Sequence, residues 1–179
     1  MPDLIEPSIE DFFADYPREP RELKKILMYP TLQPDTAAGL YLLQAFGETL
    51  FPGIRTASFE FWPGVPADQD PRKMEKEESV LFLDIGKGLF DHHAANAKLG
   101  KRVECMTTVV AQYLHLESHP ALRKLLAWVR RSDLEGKGTI SSDPLDKTFS
   151  VENLLMLLNR QYTETPEKVL RIAIELLAA

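Results

Sequence analysis

The stretch LFLDIGKGLFDHH, residues 81–93, passes from an apolar run into a lone aspartate, two glycines and a closing aspartate with two histidines. Its apolar part belongs to SVLFLDI at 79–85, which is typical of a strand buried on both faces of a mainly parallel sheet. Asp84 stands at the carboxyl end of that strand, and ligands of α/β sheets gather outside the carboxyl ends of strands. The stretch therefore predicts both a parallel sheet and a polar rim at its edge.

The two glycines explain how the remaining polar residues reach the same rim. Gly86 and Gly88 permit tight or left-handed backbone geometry, so the chain can turn directly after the strand. We expect the turn to bring Asp91, His92 and His93 back toward the lone aspartate. A purely structural alternative is that Asp91 caps a helix while the two histidines form a solvated pair.

The segments before this stretch predict the rest of the sheet. KKILMYP at 24–30 is a short apolar run halted by proline, and 36–50 has the composition and length of a helix. The aromatic and β-branched segment 54–62 indicates a second strand, and 63–78, rich in prolines and charges, is expected to be an exposed connection. This order predicts a layered α/β sheet.

The second half of the chain is predicted to be helical. We expect helices over 8–16, 105–116, 119–131, 151–160 and 166–178. The predicted fold class is α/β, a mainly parallel, Rossmann-like sheet with flanking helices and a helix-rich C-terminal half, while an all-α arrangement stays open. We expect one domain over 1–179, made of an N-terminal extension (1–23), a motif-bearing sheet (24–135) and C-terminal helices (136–179).

Composition and charge exclude several classes of protein. No apolar run reaches the roughly 18 residues of a transmembrane helix, and residues 1–10 lack a secretory pattern, so we expect a cytoplasmic protein without a membrane partner. The formal net charge of -6 disfavours nucleic acid as a partner without excluding it. Cys105 is the single cysteine, so a metal would be held by histidines and carboxylates, which suit Mn²⁺, Fe²⁺ or Zn²⁺.

Three segments together resemble a known family. The DHH of 91–93 with its preceding strand at 80–86, ECMTTVVAQYL at 104–114 and RRSD at 130–133 are similar in order to the motifs of the DHH phosphoesterase superfamily. That superfamily includes manganese-dependent pyrophosphatases, RecJ-like exonucleases and cyclic-dinucleotide phosphodiesterases. The resemblance covers about residues 25–135.

The resemblance implies roles for individual residues. Asp84 would be the aspartate that bridges two metals, His92 a metal ligand and Asp133 the last metal ligand. His93 would face the phosphate or steady the site, and Asp91 would orient an imidazole, so His93 and Asp91 are the candidate catalytic residues. The implied cofactor is a divalent metal, Mn²⁺ in the first place, as one or two ions.

The first motif departs from the family pattern. Within 25–40, Asp35 keeps one aspartate and is a candidate metal ligand. Thr31 or Gln33, depending on the alignment, stands where a histidine is expected, and Ala37 replaces the second aspartate. We therefore expect one well-formed metal position and a weak second one.

These observations lead to a functional hypothesis with two alternatives. The hypothesis is a metal-dependent hydrolase that cleaves a phosphoester or phosphoanhydride in a small phosphorylated substrate or nucleotide, by water that the metal activates. One alternative is a degenerate, non-catalytic domain that binds a metal or another ligand. The other is a protein-interaction domain in which the DHH sequence is incidental.

Overall fold

The structure, a computed structural model, describes residues 6–179, so the first five residues of the predicted extension 1–23 lie outside it. The described chain forms a three-stranded parallel sheet flanked by helices, with a second half made of helices alone. The predicted α/β class is therefore confirmed, and the all-α alternative is wrong.

The three predicted strands all form. They are β1 (Lys25–Met28), β2 (Ser58–Phe61) and β3 (Val80–Leu83), in the order β2-β1-β3 and parallel throughout. β2 begins later than the predicted segment 54–62, because the chain turns up to residue 56 and only then becomes extended. All residues of β3 are buried, as its continuous apolar sequence predicts.

The six predicted helices form in the predicted order with shifted ends, and within the described chain three short helices that were not predicted join them. Together they are α1 (Ile9–Phe13), α2 (Pro34–Phe46), α3 (Pro71–Glu77), α4 (His92–Leu99), α5 (Met106–Tyr113), α6 (Arg123–Glu135), α7 (Pro144–Thr148), α8 (Val151–Gln161) and α9 (Pro166–Ala178). The helices that were not predicted are α3, α4 and α7. A 3₁₀ turn, Pro120–Leu122, precedes α6. Over residues 6–179, none of the helices combines the length and the apolar character needed to cross a membrane.

The prediction that 63–78 is only an exposed connection is wrong. This segment contains α3, and its Glu75 is buried against the sheet. The second face of the sheet, with Leu27 and Phe82, packs against Trp62 and Met74. The helix escaped the sequence pattern because seven residues with a single apolar member, Met74, show no periodicity.

The strand order creates a crevice at one point of the sheet. After β1 the chain moves to one side to form β2, and after β2 it crosses to the other side to form β3. The carboxyl ends of β1 and β3 therefore meet where the direction of strand addition reverses, which is the usual ligand position in open α/β sheets.

Candidate metal centre

Asp84 lies directly after β3 at this crevice. Its backbone is left-handed, with φ 57°, and its N–H donates to the carbonyl of Phe90 at 3.1 Å. Gly86 is also left-handed, with φ 77°, and Leu83 forms a β-bridge with Phe90. The chain therefore turns back immediately after the strand, as the sequence predicts.

Asp91 then starts α4 and fixes its first turn. One carboxylate oxygen accepts from the N–H of His93 at 2.9 Å, and the other accepts from the N–H of Lys87 at 2.7 Å. This cap places His92 at the first helical position, where it is buried, while the side chain of His93 stays 73% exposed. The structural alternative is thus half right: Asp91 does cap a helix, but the histidines are not a solvated pair.

Three carboxylates surround the imidazole of His92. Nδ1 lies 2.7 Å from Asp84 Oδ1 and 3.9 Å from Asp35 Oδ2, and Nε2 lies 3.9 Å from Asp133 Oδ2. Asp35 comes from the first turn of α2 and Asp133 from the last turn of α6. The structure therefore brings together all four residues predicted to ligate a metal.

The polar atoms at this centre are incompletely satisfied. Asp84 Oδ1, His92 Nδ1 and Asp133 Oδ2 are buried and have no hydrogen-bond partner within the described chain. Asp84 Oδ1 and His92 Nδ1 nevertheless lie 2.7 Å apart, which is the distance of an ion pair when the imidazole is protonated. Buried polar atoms are nearly always paired, and two carboxylate oxygens with one ring nitrogen that have no other partner fit the donor set of a divalent cation.

Burial and charge act against each other on His92. Its burial favours the neutral imidazole, but the three neighbouring carboxylates outweigh burial and raise its pKa to about 9. The centre therefore attracts positive charge, and a bound metal would replace the proton on the imidazole.

Asp35 has a second task that the sequence did not reveal. Its carboxylate oxygens accept from the N–H of Met106 at 2.6 Å and from the N–H of Thr107 at 2.8 Å, at the start of α5. The hydroxyl of Thr107 donates to the Asp35 carbonyl at 2.7 Å. Burial raises the pKa of Asp35 to about 6, against the hydrogen bond from Thr107. Asp35 therefore anchors α5 to α2 while it faces His92.

The two residues predicted to be catalytic, the exposed His93 and the buried Asp91, form a pair. His93 Nδ1 lies 3.0 Å from Asp91 Oδ1, and its ring stacks on that of His92 with a centroid separation of 4.0 Å. Asp91 therefore orients the exposed His93 and not the buried His92. His93 is the part of the centre that solvent reaches first.

The possible ligand atoms form one centre. The two groups close enough to hold an ion are Asp84, His92 and His93, and Asp35, His92 and Asp133, with ligand atoms within 4.8 Å of one another. A neutral imidazole gives one nitrogen to a metal, so the shared His92 favours one ion, held in one group or the other. Neither group contains Asp84 together with Asp133.

The first motif contributes Asp35 to this centre, but no ligand comes from Thr31, Gln33 or Ala37. Ala37 is buried and apolar. Thr31 and Gln33 are exposed and line a cavity of about 470 Å³, whose opposite wall includes Arg160 of α8. The weak second metal position that the resemblance implies, with Asp84 and Asp35, therefore gains no further ligand from these three residues.

Neither protein-family models, nor curated proteins, nor solved structures gave a match to this chain. The functional argument therefore depends on the residues of the centre.

Proposed function

We propose that this protein is a divalent-metal-dependent phosphohydrolase that cleaves a phosphoester or phosphoanhydride, of the kind suggested by its resemblance to the DHH phosphoesterase superfamily. The observation that supports it best is the convergence of Asp35, Asp84 and Asp133 on the buried imidazole of His92 at the crevice between β1 and β3. Mn²⁺ suits this mixture of carboxylate and imidazole.

Each side chain has a distinct part in this proposal. The resemblance implies that Asp84, His92 and Asp133 would hold the ion, with Asp35 behind them. The groups whose ligand atoms are close enough are Asp84, His92 and His93, and Asp35, His92 and Asp133. A divalent ion bound there supplies a water of lowered pKa and neutralises charge on the phosphoryl group. A neutral His93 that donates from Nδ1 to Asp91 leaves Nε2 as a proton acceptor on the solvent side, suited to take a proton from an attacking water.

A second candidate function is metal or ligand binding without turnover. It is favoured by Asp35, whose carboxylate oxygens already accept hydrogen bonds from α5, and by the absence of ligands at Thr31, Gln33 and Ala37. Two-metal phosphoesterases use both ions to stabilise the displacement. A one-ion centre would be a slower catalyst or none.

The metal centre is tested by titrating the purified, metal-free protein with Mn²⁺ and measuring heat. We expect one ion per chain, and Asp84→Asn or His92→Ala to weaken binding at least tenfold, because each removes a ligand. Asp146→Asn is the matched control, since Asp146 is an exposed carboxylate on α7. Equal Mn²⁺ affinity in all four proteins would contradict both metal-binding functions.

Turnover is tested separately, with pyrophosphate and a chromogenic phosphodiester as substrates and Mn²⁺ present. A hydrolase should lose activity in Asp84→Asn. If His93 handles a proton, His93→Ala should be slower at unchanged Mn²⁺ affinity; weaker Mn²⁺ binding in His93→Ala would show instead that His93 is a ligand with Asp84 and His92. Tight Mn²⁺ binding without hydrolysis of either substrate would favour the non-catalytic function.

A further inference from the structure

Glu75 is a buried carboxylate outside the metal centre. It lies on α3 with 2% of its surface exposed. Its two carboxylate oxygens accept from different backbone groups, the N–H of Phe82 at 3.0 Å and the N–H of Leu89 at 2.9 Å. A carboxylate placed between two backbone donors joins the segments that carry them.

The two segments that Glu75 joins lie on either side of Asp84. Phe82 belongs to β3, which is an edge strand of the described sheet. Its N–H has no neighbouring strand to bond and donates to the Glu75 carboxylate instead. Leu89 lies in the turn that returns the chain to Asp91 and His92. Glu75 therefore fixes the beginning and the end of the turn that brings Asp84 and His92 face to face.

The turn is shaped to receive this carboxylate. A Cβ atom at Gly88 would lie 2.7 Å from Glu75 Oε1, closer than real Cβ atoms approach an oxygen. Gly88 is thus required by the close passage of the backbone over Glu75. The sequence suggested only that this glycine helps the chain turn.

Burying the carboxylate of Glu75 costs free energy, and its two backbone hydrogen bonds offset part of that cost. Burial raises its pKa to about 7, against the hydrogen bonds from Phe82 and Leu89. The nearby cations do not form a direct ion pair with the carboxylate: Arg21 donates to the backbone carbonyl of Glu75 at 3.2 Å, and Arg72 donates to that of Lys87 at 3.1 Å. Its direct hydrogen bonds are those to the turn and to β3.

We propose that Glu75 is a positioning residue for the metal centre, which holds the turn between β3 and α4 in the form that presents Asp84 and His92 to one ion. This inference rests on the proposed metal-binding function. Its effect is indirect, because Glu75 touches backbone on both sides of the ligands and none of the ligand side chains.

The test is Glu75→Gln, which keeps the size of the side chain but turns one acceptor into a donor facing a backbone N–H. We expect hydrogen exchange, measured by NMR, to become faster at the amides of Phe82 and Leu89. We also expect the Mn²⁺ affinity to fall roughly tenfold or more in protein that is still folded. Glu77→Gln is the control, because Glu77 is an exposed carboxylate on the same helix and both readouts should stay as in wild type.

Gly88→Ala disturbs the same contact from the other side: it keeps the Glu75 carboxylate but adds a Cβ atom that would push Oε1 away. It should also weaken Mn²⁺ binding and speed exchange at Leu89, and its effect should not add fully to that of Glu75→Gln. Wild-type Mn²⁺ affinity in both variants, with unchanged exchange at Leu89, would overturn the inference. If wild type binds no Mn²⁺, the proposed function fails, and the exchange measurements still decide whether Glu75 orders the turn.

Discussion

At the scale of single residues, the centre carries a backbone outlier. Asp84 is a non-glycine residue with φ 57°, a conformation that costs free energy in most residues but is tolerated by aspartate. The left-handed turn aims its carboxylate at His92. Strain of this kind accumulates at functional sites, where the surrounding structure enforces it.

Asp35 yields a prediction that needs no metal. Asp35→Ala would leave the buried N–H groups of Met106 and Thr107 without an acceptor, at about 1–3 kcal/mol for each unsatisfied donor. We therefore expect the free energy of unfolding of the metal-free protein, measured by urea denaturation, to fall by at least that amount.

Asp70→Ala is the comparison for this variant, because Asp70 is an exposed N-cap of α3 and its loss should cost about 1 kcal/mol. A loss in Asp35→Ala no larger than in Asp70→Ala would show that Asp35 does not anchor α5.

At the scale of elements, α3 and the chain before it form the layer on the second face of the sheet. Phe82 is fully buried there and meets the ring of Trp62 edge-on, with centroids 5.9 Å apart. Val65 and Met74 pack against the same cluster. A segment that reads as a polar connection therefore closes the hydrophobic core on that side.

Phe82→Ala tests this packing. Removing a buried aromatic ring should lower the free energy of unfolding by about 3–5 kcal/mol. It should also speed cleavage by trypsin after Arg72, Lys73 and Lys76, because α3 loses the surface against which it packs.

Phe46→Ala is the control, since Phe46 is 42% exposed on α2 and its loss should cost clearly less. If both variants cost the same and trypsin cleaves 63–78 at the wild-type rate, α3 is not held by the sheet.

At the scale of the whole molecule, the C-terminal helices complete the main core. Leu155 of α8 and Val169 and Leu170 of α9 are buried in the same cluster as Leu81 and Leu83 of β3. A polar tie accompanies this packing: the side-chain amide of Asn159 on α8 bonds both the N–H and the carbonyl of Leu32, at 3.0 and 2.9 Å. The loop between β1 and α2 therefore depends on α8.

Asn159→Ala should free this loop. The backbone groups of Leu32, which is 3% exposed, would lose both partners, so the free energy of unfolding should fall by about 1–3 kcal/mol. Hydrogen exchange at Leu32 should become faster. Gln161→Ala, an exposed change on the same helix, should alter stability by no more than about 0.5 kcal/mol. Unchanged protection of Leu32 in Asn159→Ala would contradict the tie.

The sequence by itself determined the three strands, the turn after β3 and the place of Asp84 and the two histidines around that turn. Local pattern was sufficient because a doubly buried strand is continuously apolar, and a polar residue that ends it must lie at the carboxyl rim. The glycines at 86 and 88 likewise predicted the turn, because glycine permits left-handed backbone geometry. Asp35 and Asp133 were expected at the centre only through the family resemblance. The proposed chemistry rests on these local features and on a family resemblance that stays a prediction.

Only the tertiary structure decided the tasks of Asp35, Asp91 and Glu75. Asp35 contacts Met106 and Thr107 at a separation of 71 and 72 residues, and no local pattern encodes such a pair. From the sequence, Asp91 could orient either histidine. In the structure the direction of α4 places His93, and not His92, next to the Asp91 carboxylate. The sequence predicted Glu75 to be an exposed charge. Its partners are backbone N–H groups, and because every residue except proline carries one, the sequence does not show which of them a carboxylate will bind.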